Sequence, residues 1–93
     1  MNAKRKGTRN EHRSRLLLEA SDYQCSRSAA SLGAWDIIGI GSKDIVLVQV
    51  KTRDWPGIAE MDMLREFRTP SGCKKLIHRW RDRVSLPDVK EIV

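Results

Sequence analysis

Residues 44–51, Asp-Ile-Val-Leu-Val-Gln-Val-Lys, narrow the possible folds more than any other stretch of the chain. In a strand, Val46, Val48 and Val50 fall on one face and Ile45, Leu47, Gln49 and Lys51 on the other. Apolar residues on both faces need cover on both sides, so this segment reads as the central strand of a sheet packed between other layers. Only its C-terminal end turns polar, and on one face alone. Just upstream, residues 35–40 form a second apolar, β-branched run, interrupted by Gly39. Gly41-Ser42-Lys43 supplies the turn that makes a hairpin of the two.

The remaining elements fall into place around this hairpin. Residues 10–23 read as a helix, with Asn10 as N-cap and Leu16, Leu17, Leu18, Ala20 and Tyr23 as its apolar face. Residues 24–29 suit a short strand and 31–34 a loop. Trp55-Pro56-Gly57 breaks the chain. Residues 58–68 then read as an amphipathic helix carrying Ile58, Met61, Leu64 and Phe67, and residues 74–81 as a final strand carrying Leu76, Ile77 and Trp80. The tail 85–93 is left unassigned. The order is α-β-β-β-α-β, an α/β fold in which a three-stranded meander is joined by a crossover helix to a fourth strand of a mixed sheet flanked by helices. The 93 residues suit one domain, and residues 1–9 read as a flexible basic arm ahead of it.

Charge speaks to the partner. The chain has 18 Lys and Arg against 12 Asp and Glu, a formal net charge of +6, and such an excess favours a polyanion. Its distribution says more: Lys4, Arg5, Lys6, Arg9, Arg13 and Arg15 crowd the start, and Lys74, Lys75, Arg79, Arg81 and Arg83 lie near the end. A fold could bring the two groups together. No apolar run is long enough for a membrane span, and the basic start lacks the apolar core of a signal peptide. Cys25 and Cys73 have no zinc-ligand spacing and read as small apolar residues in a reduced, cytoplasmic setting. His12 and His78 are isolated and are expected at the surface or an interface. The tryptophans Trp35, Trp55 and Trp80 are read as packing residues rather than base-stacking platforms.

Three places hold polar residues that a core has no use for. Asp36 stands inside an apolar run, Gln49 and Lys51 end the neighbouring strand on one face, and Glu11 lies in the expected first turn of the first helix. Each alone is ordinary: a strand-end Asp caps turns, and a helix dipole favours an early glutamate. Together, a carboxylate, an amide oxygen and a lysine at adjoining strand ends suit a hard divalent cation. The lysine would help position or activate the attacking water and stabilise charge on a phosphate.

Taken in order, Glu11, Arg27-Ser28-Ala29-Ala30-Ser31, Gly33-Ala34-Trp35-Asp36 and Gln49-Val50-Lys51 resemble the PD-(D/E)xK nucleases, and among them the archaeal-type Holliday junction resolvases with their phage and bacterial relatives. The resemblance covers roughly residues 6–53. It implies a restriction-endonuclease-like core and a structure-selective endonuclease that hydrolyses phosphodiesters through metal-activated water, leaving 5′-phosphate ends. By this resemblance Asp36, Glu11 and Gln49 with the Val50 carbonyl hold Mg²⁺ or Mn²⁺, Lys51 is the catalytic lysine, and Ser31 lies near the scissile phosphate. Lys4, Arg5, Lys6, Arg9, Arg13, Arg27, Ser28 and Arg53 are expected to contact DNA. The implied partners are branched DNA, a four-way junction above all, and a second copy of the chain, since two symmetric cuts need two sites. The setting would be the cytoplasm of a bacterial, archaeal or phage-infected cell. Trp55, Trp80 and Ile92-Val93 are candidates for the dimer patch. Gln49 stands where the pattern has Glu or Asp and brings no charge, which implies weak metal binding and millimolar Mg²⁺ or Mn²⁺. Two alternatives stay open: a nuclease of the same fold with another DNA substrate (nicking, repair or restriction), and a catalytically silent DNA-binding module.

Overall fold

The structure is a computed structural model that describes residues 3–27 and 35–93, with side chains from residue 7 onward. The chain runs α1 (Ala3–Ala20), β1 (Gln24–Arg27), β2 (Ile37–Ile40), β3 (Ile45–Thr52), α2 (Ile58–Glu66), β4 (Cys73–Trp80) and β5 (Asp88–Ile92). The five strands form one sheet in the order β1-β2-β3-β4-β5. β1, β2 and β3 are an antiparallel meander, β4 joins β3 in parallel through the α2 crossover, and β5 returns antiparallel to β4. This is the mixed sheet flanked by helices expected from the sequence, with one strand more. The tail left unassigned supplies β5, a short strand just after Pro87 whose only buried residue is Ile92.

β3 is central, and its alternation divides the core in two. Val46 and Val48 pack with Ile37 and with Leu18 of α1. Leu47 packs with Trp35, Ile77, Ile92 and Leu64 of α2. The helices therefore cover opposite faces. Gly39 is required by this packing: a Cβ there would meet Val46 Cγ2 at 2.9 Å, closer than real Cβ atoms approach. Trp80 and Ile92, expected as spare apolar surface, belong to the core at 1% and 5% exposure.

Helix α1 departs most from expectation. It begins at Ala3, so residues 3–9, read as a flexible arm, are helical. Asn10 is an interior residue rather than an N-cap, and Glu11 lies mid-helix rather than in the first turn. Its deeply buried stripe is Asn10, Ser14 and Leu18, spaced at i, i+4 and i+8, while Leu16 is 49% exposed. Two of these three are polar, and each has a hydrogen-bond partner: Asn10 Nδ2 donates to Thr52 Oγ1 at 2.9 Å, and Ser14 Oγ meets the buried His78 Nδ1 at 2.9 Å and Trp80 Nε1 at 2.8 Å. A polar stripe is invisible to a search for apolar periodicity. His78, expected at the surface, is thus buried at 4% exposure. α2 also shows less of its apolar face than expected: Leu64 is buried, but Ile58 is 85% exposed.

Candidate active site

Asp36 lies just before β2, where the chain enters the sheet. Its amide donates to Val48 O at 2.9 Å, and its Oδ2 accepts from the Val50 amide at 2.7 Å. The pairing of Ile37 with Val48, carried one residue further, sets Asp36 opposite Gln49. The strand pair thus clamps this carboxylate by its own backbone. Val50, expected to lend its carbonyl, meets Asp36 through its N–H. Burial pushes the Asp36 carboxyl above its ordinary range; the Val50 amide pulls it back, nearby Glu11 raises it, and Lys51 and Arg27 lower it. The charges that act on Asp36 thus come from three elements: Glu11 of α1, Arg27 of β1 and Lys51 of β3.

Glu11 is held by Arg27, whose Nε donates to its Oε1 at 2.9 Å. A pocket of about 140 Å³ opens beside this pair, lined by Thr8, Glu11, His12, Arg15, Arg27 and Ile37. On the α2 face, Lys51 Nζ donates to Glu60 Oε1 at 3.1 Å, and Gln49 Nε2 donates to Glu60 Oε2 at 3.3 Å. Gln49 is 7% exposed, and its Oε1 is buried with no hydrogen-bond partner. A buried acceptor left bare is costly and rare.

Among the described residues, no three His, Cys, Asp or Glu stand close enough together to hold a metal ion. The oxygens present nonetheless suit a hard cation in kind. Asp36 and Glu11 are two carboxylates near enough for the charge of one to disfavour the charge of the other, and the orphaned Gln49 Oε1 is the neutral oxygen that such a cation would satisfy.

Glu60 had no place in the sequence reading. It is one of several acids in a polar stretch with Asp54, Asp62 and Glu66, and only the crossover of α2 sets it over the end of β3. Of the residues expected at DNA, Arg9 and Arg27 are exposed, and Arg53 is exposed with an ion pair to Asp82 at 3.3 Å. Arg13 is committed inward: its guanidinium lies 3.9 Å over the Trp80 ring and donates to Val84 O. Ser28 and Ser31, and the side chains of Lys4, Arg5 and Lys6, lie outside the described residues. Among the described residues, no helix is long and apolar enough to cross a membrane.

No family model matches this chain, and no curated protein matches it. Among solved structures, it is similar to Hjc, a Holliday junction resolvase from the archaeal hyperthermophile Archaeoglobus fulgidus, with a TM-score of 0.69 and 20% sequence identity, over 94% of this chain and 71% of that one. Identity this low speaks to architecture alone. The chain has the α/β fold of that resolvase, a mixed five-stranded sheet between helices.

Proposed function

We propose that this chain is a divalent-metal-dependent DNA endonuclease acting on branched DNA, a Holliday junction resolvase in kind. The observation that carries the reading is the Asp36 carboxylate held in the β2–β3 ladder opposite Gln49, whose Oε1 is buried and unpartnered, with the charges of Glu11 and Lys51 acting on Asp36, in a chain with the fold of a resolvase. Mg²⁺ or Mn²⁺ bound there would supply a Lewis acid and an activated water for phosphodiester hydrolysis. Asp36 is fixed by the Val50 amide, so little motion is lost when it binds a ligand. Lys51 presents a positive charge at the strand end, where it can stabilise the phosphate as negative charge builds on it. Arg27 and Arg53 offer exposed guanidiniums for backbone phosphates. Branched DNA with two symmetric strands to cut calls for two copies of the site, and so for a homodimer.

Labelled four-way junction and matched linear duplex, each with Mg²⁺, Mn²⁺ or EDTA, test the reading. Junction cleavage with metal and none with EDTA is expected. Asp36→Asn and Lys51→Ala are each expected to lower cleavage by about 100-fold or more while junction binding persists. Metal-independent cutting, or near wild-type rates in either variant, would overturn it. Gln49 favours a second reading, a silent DNA-binding module, because it brings no charge to the site. Junction binding without cutting at any metal concentration would establish that reading.

A further inference from the structure

We infer that Glu60, on helix α2, supplies the metal site, beside Asp36 and Glu11, with the negative charge that Gln49 lacks; this rests on the metal-nuclease reading above. Glu60 uses both oxygens on the polar end of β3. Oε2 accepts from Gln49 Nε2 at 3.3 Å and Oε1 accepts from Lys51 Nζ at 3.1 Å. Residue 49 and Glu60 are chemically complementary. A glutamine at 49 can donate to a carboxylate, whereas a glutamate at 49 would set two negative groups at hydrogen-bonding distance. The strand residue is neutral where an adjacent element already brings the charge.

The contact also fixes the amide. With its NH₂ turned to Glu60, Gln49 must turn its oxygen the other way, and that oxygen is buried and unpartnered. The neutral oxygen of Gln49 and the Asp36 carboxylate across the strand pair are donors that suit a hard divalent cation, and the Glu60 carboxylate behind the amide supplies charge to them. The site then needs no acid on β3. Lys51 pairs with Glu60 at 3.1 Å, and its charge also favours the ionised form of Asp36. The position where charge was expected and the position where it stands belong to different elements, both fixed by the parallel pairing of β3 and β4 around α2.

Mn²⁺ binding to the full chain without DNA, measured by calorimetry, tests this independently of cleavage. Four proteins are compared: wild type, Asp36→Asn, Glu60→Gln, and the double variant Glu60→Gln with Gln49→Glu, which returns the charge to the strand at constant net charge. Glu60→Gln is expected to weaken Mn²⁺ binding about tenfold or more, and the double variant to recover to within about threefold of wild type. Wild-type affinity in Glu60→Gln, or a double variant no better than Glu60→Gln, would overturn the inference. If wild type binds Mn²⁺ and Asp36→Asn abolishes it, the metal site itself stands whatever Glu60 does. If wild type binds no Mn²⁺, the metal reading and this inference both fall. Melting curves accompany each titration, and should Glu60→Gln alone be too unstable, the charge-conserving double variant decides the matter.

Discussion

Ser14 serves as the meeting point of two buried aromatic side chains. Trp80 Nε1 can only donate, so Ser14 Oγ accepts from it; the Ser14 Oγ–His78 Nδ1 hydrogen bond, at 2.9 Å, runs in the direction that the imidazole tautomer sets. Burial disfavours the charged imidazole and pushes the His78 pKa down to about 4 from an ordinary 6.5. The unfolded chain therefore takes up this proton near pH 6.5 and the folded chain only near 4. Stability from this group is full above pH 6.5 and falls as pH is lowered through that window, by about 3 kcal/mol in total. His78→Gln, which keeps an acceptor but does not titrate, should flatten the decline in melting temperature between pH 6.5 and 4 relative to wild type. An identical decline in both proteins would mean that His78 is not the group responsible. At this scale the sequence was readable where a residue contradicts its local pattern. Asp36 and Lys51 stand out because apolar strands surround them. Glu60, Ser14 and His78 do not, because their partners lie 9 to 66 residues away along the chain.

Helix ends and edges were the least legible elements. The run Lys4 to Arg9 is polar throughout and was read as a free arm, yet the helix continues through it to Ala3. The end of α2 is finished by a residue from another element. Lys75 of β4 is 8% exposed, and its ammonium donates to the carbonyls of Leu64, Arg65 and Phe67 at 2.8, 2.9 and 3.0 Å. Those carbonyls have no partner within the helix itself, and a positive charge at a helix C-terminus is favourable. In the sequence Lys75 looked like part of a basic cluster aimed at a polyanion. The structure makes it an internal cap. Lys75→Met keeps the aliphatic stem and removes the donors, and is expected to cost about 2–3 kcal/mol, a fall in melting temperature of roughly 10–20 °C for a domain of this size. Lys74→Met, at an exposed neighbouring position, should change it little. Equal effects would show that Lys75 acts only through general charge.

For the whole molecule, the five-stranded sheet ends on β5, an edge strand with Val89 57% exposed, and Leu86 and Val93 are exposed nearby. Trp55 is 37% exposed, its ring 4.6 Å from the Arg79 guanidinium of β4. Of the apolar residues expected to pair two copies, Trp80 and Ile92 are spent on the core, which leaves Trp55, Val93 and this edge. An isologous contact along β5 would place two sites on one particle. Sedimentation at micromolar concentration is expected to give about twice the 10.7 kDa chain mass. A single-chain mass that persists on junction DNA would refute the dimer and weaken the resolvase assignment, while leaving a nicking enzyme possible. The layered fold itself was legible, because β3 is apolar on both faces and demands cover on each. The partner of the molecule was not, because exposed apolar residues such as Leu16, Ile58, Leu86 and Val89 do not announce what covers them.

The clamp on Asp36 has a last consequence. Two backbone contacts, Asp36 N to Val48 O and Val50 N to Asp36 Oδ2, make the carboxylate part of the β2–β3 ladder itself. The tight turn from Gly41 to Asp44 therefore works as a ruler. A residue inserted there and absorbed as a bulge in the turn leaves the ruler intact. The same residue absorbed as a one-step slip of the strands would carry Asp36 away from residue 49 and turn the apolar set of β2 to the wrong side. Descendants of this chain are free to vary the length of that turn only in ways the strands never feel, so the hairpin guards folding and chemistry with a single measurement.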